Sequence, residues 1–148
     1  ADFVCSRTAQ TGALRRMIWL DREGPIAYLE PFKERLLARR VTKFDESNWW
    51  KWGRRHHVSD APRIYVNQKT RRPRPFFLND CRNYDGAILA LFPHHRDAGL
   101  EGLRDLLNDV DWAELGFVCD GRFLFAQRSL AQALLPEDFA PFATRALV

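Results

Sequence analysis

The longest uninterrupted apolar run in the chain is Ala87-Ile88-Leu89-Ala90-Leu91-Phe92, closed by Pro93. Six residues suit a buried strand and fall far short of the ~20 that cross a bilayer. No transmembrane segment is expected, and the core must be assembled from short elements joined by turns. A chain of 148 residues fits one domain. It can bury roughly two-thirds of its unfolded surface, so neither a disulfide nor a metal is needed for folding. With 46% hydrophobic and 28% charged residues, wholesale disorder is excluded. The cysteines Cys5, Cys81 and Cys119 are odd in number and widely spaced. They suggest neither a zinc ribbon nor a secreted disulfide framework; reduced thiols in a cytoplasmic protein are expected. No basic region followed by an apolar leader opens the chain. Phe3 and Val4 read as the middle of a strand, so a fragment of a longer polypeptide is expected.

Periodicity gives the elements. Leu14 to Leu20 reads as a strand or a short helix. Leu29, Phe32, Leu36 and Leu37 form one helical stripe, which predicts a helix from about Glu30 to Val41 with Pro31 in its first turn. Asp45 or Ser47 suits the cap of a short helix carrying Trp49, Trp50 and Trp52, with Trp49 and Trp52 on one face. Arg63 to Val66 and Pro75 to Leu78 read as strands of a hairpin whose tip is the basic loop Asn67–Arg74. Asn79 to Asn83 is a second polar loop. Leu100, Leu103, Leu106 and Leu107 predict a helix over about Gly99–Asn108. Phe117 to Cys119, Asp120-Gly121 and Phe123 to Phe125 predict strand, turn and strand. Leu130, Leu134 and Leu135 mark a last helix ending at Pro136. The expected class is α+β, with central, mostly antiparallel strands between about residues 63 and 125 flanked by helices.

Charge is unevenly distributed. Residues 1–32 are net 0, residues 33–82 are net +9, and residues 83–148 are net −5, which together give the total of +4. The basic third is a candidate footprint for a polyanion; the acidic third is not.

Within that third, Trp49-Trp50-Lys51-Trp52 and Arg54-Arg55-His56-His57 combine cations with indoles, as nucleic-acid contacts do. The tryptophans read equally well as core anchors with a solvated cationic flank. The loop holding Asn67, Gln68, Lys69, Arg71, Arg72 and Arg74 contains the side chains that read base edges, and also reads as a solvated charged turn. Lys51, Trp52, Arg54, Arg55, His56, His57, Asn67, Gln68, Lys69, Arg71, Arg72, Arg74 and Arg82 are the candidate DNA-binding residues. The pairs His56-His57 and His94-His95 do not suggest a metal site, because adjacent histidines on a strand face apart. No Walker loop, GxGxxG or GxSxG is present, so no catalytic residue is assigned.

Several segments resemble, in order and spacing, one known module. They are Tyr28-Leu29-Glu30-Pro31-Phe32-Lys33 through Leu36 and Arg39-Arg40, Asn48-Trp49-Trp50-Lys51-Trp52, and Pro62-Arg63-Ile64-Tyr65-Val66. Phe76-Phe77-Leu78, Tyr84-Asp85-Gly86, Leu106-Leu107-Asn108 and Leu134-Leu135-Pro136 follow. The module is the C-terminal target recognition domain of γ-class bacterial N6-adenine DNA methyltransferases of restriction–modification systems. The resemblance covers about residues 28–139. It implies sequence-specific binding of duplex DNA by residues 1–148, with 1–27 as the junction to a catalytic domain in cis. The parent enzyme would transfer a methyl group from S-adenosylmethionine to the exocyclic amine of a flipped adenine. The family's Asn-Pro-Pro-aromatic motif and cofactor loop are not in this sequence, so neither catalysis nor a cofactor is expected of this chain itself. The alternatives are a free-standing RNA- or single-strand-binding module and a small metal-dependent nuclease.

Overall fold

The computed structural model describes residues 1–18, 24–53, 59–95 and 99–142. Its contacts gather into two units, Ala1 with Met17–Val58, and Asp2–Arg16 with Ser59–Val148. Helices and antiparallel sheets together make the chain α+β.

In the larger unit, β1 (Asp2–Phe3) and β2 (Arg15–Arg16) pair around the short helix α1 (Thr8–Thr11). The centre of the unit is β3 (Ile64–Asn67), whose side chains alternate between two cores. Ile64 and Val66 join Phe76, Leu103, Leu107, Trp112, Phe117, Phe125 and Phe139 on one side. Tyr65 turns to the other, with Val4, Phe77 and Ile88. Each large side chain fully buried here contributes about 1.5–3 kcal/mol.

Two antiparallel partners flank β3. They are β5 (Phe76–Phe77), in register Val66↔Phe76, and β6 (Ile88–Leu91), in register Tyr65↔Ala90. The edge of β5 is not left open. From α3 (Leu100–Asp109), the Asn108 amide accepts from Phe76 N at 2.9 Å and donates to Phe76 O at 3.0 Å. The apolar run thus forms the strand its length predicts, and the leucine stripe forms its helix within a residue of the expected span.

A second three-stranded sheet has the order β4–β8–β7, from Lys69–Thr70, Arg122–Leu124 and Val118–Cys119. Its hairpin turns at Asp120 and Gly121, with φ of 51° and 69°. A two-residue hairpin loop demands this left-handed pair, and Asp-Gly supplies it. The chain then passes through α4 (Gln127–Ala131) to a 3₁₀ turn at Glu137–Phe142.

The smaller unit carries a 3₁₀ helix (Ala27–Phe32) that runs into α2 (Lys33–Leu37). Leu29, Trp49 and Trp50 are its buried residues, with Ile26, Leu36 and Leu37 packed against them.

Four expectations are corrected. The helix foreseen to Val41 stops at Leu37, because the Arg39 side chain turns back and its Nε donates to Leu36 O at 2.8 Å. Its first part is 3₁₀, with Pro31 inside. The short helix after Asp45 is only a turn. Asp45 does cap it, its carboxylate accepting from Ser47 N while Asn48 Oδ1 accepts from Asp45 N, but only a turn follows the cap. The tip 67–74 is not a free loop, because Lys69–Thr70 pairs with β8 as Lys69↔Leu124 and Thr70↔Phe123. The last helix ends at Ala131, and Leu134 lies 78% exposed rather than on a buried stripe.

Candidate functional site

Strand alternation builds the most distinctive surface of the larger unit. Phe123 packs against the main core and stacks on Phe125, with centroids 5.7 Å apart. Its cross-strand partner Thr70 therefore shares the inward face. The next positions, Lys69 on β4 and Arg122 on β8, point the opposite way. Cys119 is paired with Arg122 and lies on that outward face too. One step beyond the paired residues, Arg71 falls opposite Arg122 in register. Its Nη2 reaches the Asp120 carbonyl oxygen at 3.5 Å, at the hairpin turn. Lys69, Arg71, Cys119 and Arg122 are all exposed. Neighbouring cations on one face repel, and no ion pair among the described residues compensates Lys69, Arg71 or Arg122.

Several other cations have carboxylate partners. Arg74 lies 3.0 Å from Asp109 and 3.7 Å from Asp105, both on α3. Arg104 meets Asp105 at 2.9 Å, and Arg15 meets Asp85 at 3.5 Å. Lys69, Arg71, Arg72 and Arg122 have no ion pair among the described residues.

Arg63 is a structural cation. It is 2% exposed, sits 4.8 Å from the Phe92 ring centre, and donates to the carbonyls of Ala61, Arg82 and Ser59. Arg82 is exposed, and its Nη1 donates to Ala61 O at 3.2 Å. Arg63 and Arg82 thereby fix the entry to β3.

The amides are not where a free loop would put them. Asn67 is buried, and its Nδ2 donates to Ser6 O at 2.7 Å. Its Oδ1 has no hydrogen-bond partner among the described residues. Gln68 Nε2 donates to Gly86 O at 2.8 Å. Both amides brace backbone, so of the segment 67–74 only Lys69, Arg71 and Arg72 keep uncommitted charge.

In the smaller unit two cations, Lys33 and Arg39, are built into the packing, while Arg35, Arg40, Lys43 and Lys51 are exposed. Lys33 pairs with Glu46 at 2.5 Å, which raises the pKa of its ammonium, and lies 5.6 Å from the Trp49 ring centre. Arg39 donates to the carbonyls of Trp49 and Lys51 at 2.7 and 2.9 Å, and its guanidinium sits 3.9 Å from the Phe44 ring centre. Burial lowers its pKa from the ordinary arginine value. Gly53 permits the close approach of Val41, whose Cβ would lie 3.1 Å from any side chain there.

The tryptophans divide differently from the expected Trp49–Trp52 face. Trp49 and Trp50 are the buried pair, edge to face at 5.9 Å, while Trp52 is half-buried and its indole N–H donates to Ile18 O at 3.1 Å. Lys51 is exposed, 6.0 Å from the Trp50 ring centre. Arg54, Arg55, His56 and His57 lie outside the described residues.

Arg122 was absent from the sequence-derived candidates. It stands alone between Arg104 and Arg128 as a cation, directly after Asp120-Gly121 and far downstream of the basic third. The Asp-Gly hairpin and alternation were enough to put it on an outward face, but nothing in the sequence paired that hairpin with Lys69–Thr70.

Among the described residues, no group of three or more His, Cys, Asp or Glu side chains is placed to hold a metal ion, and no helix is long and apolar enough to cross a membrane. The three cysteines are free. Comparison with protein-family models, with curated proteins and with solved structures finds no match.

Proposed function

We propose that the chain binds duplex DNA sequence-specifically, as the target recognition domain of an N6-adenine DNA methyltransferase of the γ class. In this reading it does no chemistry. Methyl transfer from S-adenosylmethionine belongs to a catalytic domain in cis. The observation that carries the reading is the outward face of β4 and β8, where Lys69, Arg71 and Arg122 stand exposed with no carboxylate partner among the described residues. Backbone phosphates are the ligands such a face lacks, and a β-ribbon is one of the elements the major groove of B-DNA admits. The order of motifs from Tyr28 to Pro136 adds the family resemblance.

Trp49 and Trp50, 2% and 7% exposed, are too buried to stack on the bases of a single strand, while the ribbon suits a duplex groove. The test is binding of a labelled duplex followed from about 50 to 200 mM salt. Contacts to about five phosphates give a log–log slope near −4 to −5. Selection from a randomised duplex pool should then enrich one site. A slope near zero removes the polyanion reading. Salt-dependent binding without any enriched sequence removes the recognition-domain reading.

A further inference from the structure

The facing arginines on the ribbon suggest a defined ligand geometry, which rests on the nucleic-acid reading above. We propose that Arg71 and Arg122 form a two-guanidinium clamp that closes on a single backbone phosphate, with Lys69 on a neighbouring one. The register Cys119↔Arg122 fixes Arg122 on the outward face; the ladder Lys69↔Leu124, Thr70↔Phe123, extended by one residue past its last pair, brings Arg71 to Arg122, and the Arg71 contact with Asp120 O places it at the same hairpin. Side chains directly opposite on antiparallel strands start about 4.5–5.5 Å apart at Cβ. Two planar forks of that separation converge on one tetrahedral anion, each with donors to spare for its oxygens. The Arg71 arm is steadied at the hairpin turn by the Asp120 carbonyl, which accepts without neutralising it.

In the free protein this arrangement is unfavourable, since like charges opposite one another destabilise a ladder. Arg74, three residues on, shows the other solution: it sits within ion-pair distance of two carboxylates. The clamp has none among the described residues, and an anion brought by a partner completes it.

A double-mutant cycle on duplex affinity tests this. Arg71→Ala and Arg122→Ala should each weaken duplex binding about tenfold, the loss of one charge-assisted contact. The double variant should be little weaker than either, because one arm alone has lost its grip. A neutral methylphosphonate placed along the duplex should reveal one position that weakens the intact protein and leaves the double variant unaffected. Each variant should melt at or above the intact protein's temperature, since one of two facing cations is gone; a merely structural role would lower it.

Losses that multiply to about a hundredfold in the double variant, or no loss in either, overturn the clamp and leave the nucleic-acid reading standing. Absence of salt-dependent duplex binding by the intact chain overturns both. Inorganic phosphate serves as the second probe. If it raises the melting temperature of the intact protein but not of the double variant, while duplex does not bind, the assignment to backbone phosphate is overturned in favour of a free phosphate.

Discussion

Between Lys33 and Lys51, the cations Lys33 and Arg39 are turned inward on the protein's own groups, whereas Lys69, Arg71 and Arg122 beside the β4–β8 pairing are exposed and have no ion pair among the described residues. Lys33 has Glu46 and the Trp49 ring; Arg39 has three backbone carbonyls and the Phe44 ring. Lys69 and Arg122 are exposed, and Arg71 has only the Asp120 carbonyl at 3.5 Å. The first stretch also keeps exposed cations, Arg35, Arg40, Lys43 and Lys51, but Lys33 and Arg39 are consumed by the fold. A count of lysines and arginines measures a potential; what remains available for binding is the part that the fold does not consume.

That contrast can be broken by exchanging readouts: inward cations should affect stability and outward ones affinity. Arg63 is the extreme inward case. Arg63→Ala strands the carbonyls of Arg82 and Ser59 and leaves Ala61 O only its Arg82 donor, and should lower unfolding free energy by about 3 kcal/mol in urea titration. Binding by the molecules that remain folded should keep its salt slope. Arg39→Ala should cost about 2 kcal/mol by the same measurement, and Arg39→Lys should not restore it, because one ammonium cannot span the carbonyls of Leu36, Trp49 and Lys51. Lys69→Ala should leave the unfolding curve in place while flattening the salt slope by about one. If Lys69→Ala destabilised the fold and Arg39→Ala only weakened binding, the two regions would have been assigned the wrong way round.

The smallest effect appears at alkaline pH. Burial is the largest cause raising the Tyr65 phenol from its ordinary value of 10.0 to about 12, opposed by the Arg63 charge. A raised folded pKa means stability that is complete below pH 10.0 and is lost as pH climbs through about 12. Tyr65→Phe should therefore remove part of the stability decline over that window, although it also leaves Cys81 O without its 2.6 Å donor. A decline of unchanged size would assign the alkaline sensitivity to other groups.

What the sequence made legible follows from the range of the interactions involved. The hairpin at Asp120-Gly121 and the helix Leu100–Asp109 are written in adjacent residues, a turn dipeptide and a leucine stripe. So is the strand made from the apolar run. The Glu30–Val41 stripe failed because stripes register burial but not the competing Arg39 side chain, which bonds the Leu36 carbonyl where the helix ends at Leu37. The tip at Asn67–Arg74 read as a loop because polar composition cannot reveal a partner strand, and β8 lies far along the chain. Within the site, Lys69, Arg71 and Arg72 were legible from local charge. The commitment of Asn67 to Ser6, of Arg74 to Asp105 and Asp109, and the entry of Arg122 all depend on contacts distant in sequence.

The central claim is that the outward face of the β4–β8 ribbon is the surface that meets nucleic acid. Its most direct test is the salt dependence of duplex binding by a triple variant, Lys69→Ala with Arg71→Ala and Arg122→Ala, beside the intact chain. Two phosphates released, one from the clamp and one from Lys69, should flatten the log–log slope by about two, with no fall in melting temperature. An unchanged slope in a variant that folds normally would contradict the account and move the interface elsewhere on the molecule.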